Sequence, residues 1–136
     1  MRTAIDASVL WCLLNQEPAA GGWRTALERA SHQGELVICP AAFAEISPAY
    51  ASPDDVLEDL ERLAIGYDPF LPVAAWRAGQ VFKIYRRQGG PRTSLIPDFL
   101  IAAHALEQAD RLAAADRGYL RKYFPGLKIL GPERDR

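Results

Sequence analysis

The sequence predicts an α/β domain built on a parallel sheet, and three observations lead there. Short runs of almost unbroken apolar character recur at 3–5, 36–39, 111–115 and 127–130, as befits strands buried on both faces. Stretches with a helical apolar rhythm lie between them, the pattern of helices that cover a sheet on both sides. Two of the runs also give way to an aspartate, Asp6 and Asp116, at the carboxyl edge where such sheets place their ligands.

Thr3 to Ile5 is the first strand and delivers Asp6 to its carboxyl end, and Ser8 to Leu14 makes a short helix after it. Residues 19 to 33 carry Trp23, Ala26, Leu27 and Ala30 at helical spacing, and Gly34 stops them before the run Leu36 to Cys39. Pro40 suits a helix first turn, because the N–H it lacks would find no intrahelical partner there; Phe43, Glu45 and Ile46 follow on that helix. Ser52, Pro53, Asp54 and Asp55 form a helix start of capping-box type feeding Val56, Leu57, Leu60 and Leu63. Pro72 opens a further helix through Val73, Trp76, Val81, Ile84 and Tyr85, which fails at Gly89-Gly90-Pro91. Residues 97 to 109 make a helix with small residues at Ala102, Ala103 and Ala105. Arg111 to Ala115 then reads as a strand, a helix holds Tyr119, Leu120 and Tyr123, and Leu127 to Leu130 is the last strand.

A chain of 136 residues is expected to form one domain, spanning 1–136, that buries roughly two thirds of the surface its unfolded form exposes. Its 49% hydrophobic and 24% charged residues exclude disordered, collagen-like and coiled-coil classes. The opening residues imitate a signal peptide, but Asp6 interrupts them and the apolar run Val9 to Leu14 is short for the apolar part of one. No apolar stretch approaches the length that spans a bilayer. Cys12 and Cys39 form no C-x-x-C pair and have no histidines at zinc-finger spacing, so buried free thiols in a reducing cytoplasm are expected. His32 and His104 are isolated and support neither a zinc site nor a histidine base.

A net charge of −1 argues against gripping nucleic acid through bulk positive potential. The distribution is more informative. No acid occurs between Asp68 and Asp98, while Arg77, Lys83, Arg86, Arg87 and Arg92 make that stretch positive. Lys83, Arg86, Arg87 and Arg92 are the candidate RNA-tracking residues; a solvated helix with a basic C-terminal end that suits its dipole explains the same pattern. Trp11, Trp23 and Trp76 fall at helical spacing with other apolar residues, which favours packing over base stacking. Ser8, Thr93 and Ser94 are candidate phosphate contacts, though turn and capping roles fit them as well.

Four carboxylates carry the chemistry: Asp6, Glu45, Asp98 and Asp116. Each stands among small or apolar neighbours where a strand ends or a helix begins. Brought together at one sheet edge, they would repel: two carboxylates about 5 Å apart at an effective dielectric of about 20 cost roughly 3 kcal/mol. A divalent cation with oxygen ligands is the partner that offsets this. Taken one at a time, each acid also fits an ordinary role, Asp6, Asp98 and Asp116 as helix caps and Glu45 as a helix residue paired with a base.

Ile-Asp-Ala-Ser-Val-Leu at 5–10, Pro-Ala-Ala-Phe-Ala-Glu-Ile at 40–46, Ile-Pro-Asp-Phe-Leu-Ile-Ala-Ala-His-Ala at 96–105 and Leu-Ala-Ala-Ala-Asp-Arg-Gly-Tyr-Leu-Arg-Lys-Tyr-Phe-Pro-Gly-Leu at 112–127 together resemble a PIN domain. More narrowly they resemble the VapC-type toxins of toxin–antitoxin pairs. The resemblance covers nearly the whole chain with its motifs in order. It implies an α/β/α sandwich with a mostly parallel central sheet, a magnesium- or manganese-dependent endoribonuclease, a homodimer, and a cognate antitoxin that occludes the site. It maps the family's acids onto Asp6, Glu45, Asp98 and Asp116, and its polar residue two after the first acid onto Ser8. Asp6 and Asp98 are expected to bind metal directly, with Glu45 and Asp116 orienting waters or holding a second ion. Family members commonly carry threonine or serine two residues before the last acid; this chain has Ala114.

Two other classes share some of these features. Asp6-Ala-Ser-Val is similar to the opening of haloacid-dehalogenase-type phosphatases, whose first aspartate is a covalent nucleophile, but Ser8 stands where their second aspartate belongs. A module that keeps the fold and binds RNA or a protein partner without cutting is the other.

Overall fold

Thr3–Ile5 (β1) is buried along its whole length, as is Leu36–Ile38 (β2), which is why both read as unbroken apolar runs. The computed structural model describes residues 1–93, 95–115 and 118–134. Between the two strands come helices Ala7–Leu14 (α1) and Ala20–Gln33 (α2). Gly34 separates α2 from β2, and the backbone of Met1 lies where a side chain at position 34 would stand. After β2 run Pro40–Ile46 (α3), a single 3-10 turn at Ser47–Ala49 and Pro53–Arg62 (α4), whose cap Ser52 accepts the Asp55 N–H at 3.2 Å.

Ile65–Tyr67 (β3) is a strand that the sequence pattern did not announce. The helix before it ends without a glycine: Ala64 itself takes the left-handed conformation, φ 59°, at the place glycine usually occupies. Only Ile65 of the strand is buried, with Gly66 and Tyr67 exposed, so no apolar run marks it. The remaining elements are Pro72–Arg87 (α5), Pro97–Gln108 (α6), Arg111–Ala113 (β4), Gly118–Tyr123 (α7) and Ile129–Leu130 (β5). The last two strands are shorter than the runs suggested.

The five strands form one sheet in the order β3-β2-β1-β4-β5, with every pair parallel. The fold is therefore the expected α/β class, and its sheet is wholly rather than mostly parallel. The chain winds outward from β1 through β2 to β3, then crosses back to lay β4 on the other side of β1. That reversal leaves a crevice at the carboxyl ends of β1 and β4, the place where open α/β sheets receive ligands.

Helix α6 is deeply buried, with Phe99, Ile101, Ala102, Ala103, His104 and Ala105 all enclosed. Its alanines let α5 approach closely through Ala74 and Ala78, a fit that larger side chains would prevent. Trp23 lies in the core, Trp11 is half-buried, and Trp76 on α5 is 60% exposed. Cys12 and Cys39 are buried free thiols. No helix among the described residues is long and apolar enough to cross a membrane.

Candidate metal and nucleic-acid site

Asp6 follows β1 directly and is 3% exposed. Its backbone N–H donates to Ala113 O at 2.9 Å, stitching β1 to the end of β4. Its side chain caps α1: Oδ2 accepts the Ser8 N–H at 3.2 Å and the Ser8 hydroxyl as well. The capping role and a metal role are compatible, because both bonds fall on one carboxylate oxygen. At the end of the neighbouring strand β2, burial pushes the Cys39 thiol up, and the Asp6 charge adds to this against the opposing N–H groups of α3.

Glu45 projects from the second turn of α3 and is half-buried. Asp98 stands one residue inside the start of α6, behind Pro97, where the helix dipole favours an anion. Ile96, not Asp98, occupies the cap position. Both acids line one open cavity of about 470 Å³. Asp6 is not part of its lining, but α3 packs against both α1 and α6, and α6 packs on β1, so the three acids sit on elements that touch. Among the described residues no three His, Cys, Asp or Glu side chains gather as a metal-ready group. Asp116, the fourth predicted acid, lies outside the described residues, as does Ser94.

The donors suit a hard cation. Glu45 and Asp98 offer oxygen only, and magnesium needs no more than one or two direct carboxylates because it keeps much of its water.

Of the four basic candidates, Arg92 lines the cavity. Arg86 donates through Nη1 to the carbonyls of Gly90 and Arg92, at 2.9 and 3.0 Å, and so shapes the loop that carries Arg92. Lys83 and Arg87 are exposed on α5, and Thr93 is exposed in the loop. Arg77 is engaged elsewhere, its Nε 2.8 Å from Glu107 Oε1.

Sequence reasoning missed two groups. Tyr85 and Tyr123 line the cavity beside the acids, although 37 residues lie between them in the chain and no local spacing links them. The second is a polar cluster on α6: His104, fully buried, brings Nε2 to 2.7 Å from Asp68 Oδ2, while Gln108 Nε2 and the Arg2 guanidinium donate to the same carboxylate.

By its fold the protein is of the α/β class with a wholly parallel sheet, and two carboxylates, Glu45 and Asp98, line one of its cavities. The family comparison places it within that class: the PIN domain model matches residues 3–125, and the chain belongs to the PIN domain family. Solved structures share the fold. A chain of VapBC2 from Rickettsia felis bound to a promoter DNA fragment superposes with a TM-score of 0.73 at 17% identity, covering 98% of this chain and 100% of that one. VapBC-1 from nontypeable Haemophilus influenzae gives 0.70 at 16%, covering 96% and 98%. DNA-bound VapBC from Salmonella typhimurium gives 0.62 at 18%, also covering 96% and 98%. No curated protein sequence matches the chain significantly.

Proposed function

We propose that this protein is a divalent-metal-dependent endoribonuclease that acts as the toxin of a type II toxin–antitoxin pair in the cytoplasm. The observation that carries the reading is the cavity that Glu45 and Asp98 share and Arg92 lines, with Asp6 buried at the end of β1, a strand on which α6 packs. Family membership and a fold shared with chains of VapBC complexes support it, and both favour it over a haloacid-dehalogenase-like phosphatase.

Asp6, Asp98 and Asp116 would hold magnesium, or manganese in its place. When bound, such an ion supplies Lewis acidity toward the phosphate and lowers the pKa of its water. The remaining work belongs to side chains. Ser8 fixes the Asp6 carboxylate through Oδ2. Glu45 orients the attacking water from across the cavity, and Arg92 meets the phosphate. Lys83, Arg86 and Arg87 extend the positive track along and beyond α5.

Cleavage of single-stranded RNA in magnesium, abolished by EDTA, tests the activity. A well-folded protein that leaves RNA intact in both magnesium and manganese sinks it. That result would favour the second reading, a PIN-like module that binds RNA or a partner without cutting. Ala114 supports that alternative, since it is buried and brings no hydroxyl to the approach of the last acid.

Metal binding has its own readout. A ligand present at about ten times its Kd and bound only to the folded state stabilises by about 1.4 kcal/mol, or about 3–6 °C in a domain of this size. Magnesium should raise the melting temperature of the wild type by that amount and that of Asp98→Asn by less. Equal shifts would remove Asp98 from the metal site.

The exposed cations make a further prediction. Replacing Lys83 and Arg87 with Ala should flatten the slope of log affinity against log salt by about 1.4, near 0.7 for each phosphate of a single strand that goes unneutralised. An unchanged slope takes α5 off the RNA surface.

Two protein partners complete the proposal. Val73, Trp76 and Ile84 lie on one face of α5, exposed at 45%, 60% and 47%, and we assign that face to a homodimer. A groove of about 240 Å³ beside α1, α3 and α4, lined by Leu10, Leu13, Leu14, Ile46, Leu60 and Leu63 together with Arg24, Tyr50, Asp59 and Arg62, is assigned to the antitoxin. Sedimentation of the chain alone, and with the product of the neighbouring gene, reads both; a monomer in each case dismisses them.

A further inference from the structure

The acids occupy only part of their cavity. Tyr85, Tyr123, Phe99 and Ile96 also line it, and the rings brace one another. The Tyr85 and Tyr123 centroids are 5.8 Å apart at 69°, Tyr85 and Phe99 5.4 Å at 78°, and Phe99 and Tyr123 5.6 Å at 56°. Edge-on contacts of this kind are favourable and leave little freedom to the rings.

The loop beyond α5 is locked onto the same wall. The Arg92 N–H donates to the Tyr85 hydroxyl at 3.3 Å, and Arg86 ties down the carbonyls of Gly90 and Arg92. Gly90 lies so close to the Tyr85 ring that any side chain there would strike it. The aromatic wall therefore sets where Arg92 enters. Tyr123 is half-buried; Lys122 holds its Nζ 5.2 Å from the centroid of that ring, a cation–π contact, and the ring's access to a ligand is through the cavity it lines.

Phosphodiester hydrolysis by acids and a cation has no need of an aromatic wall. A nucleotide does. Its flat base matches the rings, its phosphate matches Arg92, and its ester bond belongs near Glu45 and Asp98. The volume of about 470 Å³ falls within the range of roughly 300–1,000 Å³ typical of small-ligand sites. We propose that this cavity is a base-binding subsite: the nucleotide adjoining the cleaved bond places its unstacked base against Tyr85 and Tyr123, with its phosphate at Arg92. The proposal rests on the ribonuclease reading and narrows it. A base held in this way must be unpaired, so the nucleotide beside the cut is the one turned out of the strand's own stack.

The test measures binding in EDTA, where no cutting occurs and the metal site is not in play. Fluorescence anisotropy is read with a single-stranded hexaribonucleotide and with six versions of it, each abasic at one position. One abasic position should weaken wild-type binding by about 5- to 100-fold, the range that stacking of one base on an aromatic side chain supports. Tyr123→Leu should lose a similar factor on the intact hexamer and show no further loss at that position, because both changes remove the same interaction. Tyr123→Phe, which keeps the ring, should bind within about threefold of wild type. If Tyr123→Leu does not fold, 2-aminopurine placed at the sensitive position of the wild-type complex decides the matter, since stacking should quench it there and not at the other positions. Tight binding with equal loss at every abasic position, or no position-specific quenching, overturns the subsite and leaves the nuclease standing. Failure of the wild type to bind any of the RNAs overturns the subsite, whereas intact RNA after incubation in magnesium and manganese overturns the nuclease reading on which it rests.

Discussion

Asp98→Asn should slow RNA cleavage by about 10²- to 10³-fold while the protein stays folded. The substitution keeps the shape of the side chain and removes the charge that a divalent ion needs, and losing several kcal/mol of charge stabilisation at the phosphate corresponds to a factor of that size. Asp6→Asn should behave alike, for a reason that also protects its fold. Asp6 caps α1, and asparagine caps helices about as well as aspartate, so the Ser8 N–H keeps its acceptor and stability should change by less than about 1 kcal/mol. The paired measurement is initial cleavage rate and melting temperature on the same preparations. Cleavage within about threefold of wild type in both folded variants removes these acids from the chemistry.

Asp68→Ala should destabilise the fold away from the site, costing about 1–3 kcal/mol through donors left without an acceptor. In a domain of this size that lowers the melting temperature by about 3–10 °C. Asp68 ends β3 and accepts from α6 through His104 and Gln108, and from the start of β1 through Arg2. Removing its carboxylate unties the edge strand from the buried helix. A carboxylate only accepts, so His104 carries its proton on Nε2, and Nδ1 is then a buried acceptor without a partner among the described residues.

The pH dependence follows with a definite sign. Burial holds the His104 pKa below its ordinary value, with the Asp68 contact opposing but not cancelling this. Burial pushes the Asp68 carboxyl up, but the His104 hydrogen bond and the Arg2 guanidinium outweigh it, and the net value lies below the ordinary one. His104 therefore stays neutral when folded and takes up a proton more readily when unfolded, so stability is full above about pH 6.5 and declines as pH falls below it. The Asp68 contribution, present above the ordinary carboxylate value, is lost only at lower pH, as the folded value is passed. Thermal melts of the wild type should fall between pH 7 and 5, and His104→Gln, which does not titrate, should flatten that decline. Matching profiles would assign the acid sensitivity to other groups.

How legible the site was depends on how local its signals are. Asp6 and Asp98 were visible because each follows a local signal: a buried strand that stops, or a proline that opens a helix. Glu45 was placed on its helix by Pro40 in the same way. The arginines were visible as charge, but the division of labour between them was not: Arg86 braces a loop and Arg92 enters the cavity, a distinction made by backbone carbonyls that no pattern of charges encodes. His104 looked isolated because its partner is 36 residues away.

Local physics determined much of this protein: buried strands declare themselves by unbroken apolar runs, helices by their period and their caps, and the α/β class by the alternation of the two. Tertiary structure alone decided the strand at Ile65–Tyr67, hidden behind a left-handed alanine and half exposed. It also decided the all-parallel order that places β4 beside β1, the meeting of Tyr85 with Tyr123, and the bond from His104 to Asp68. Each of these joins residues far apart in the chain, and their pairing depends on how the elements pack rather than on any preference of the residues themselves.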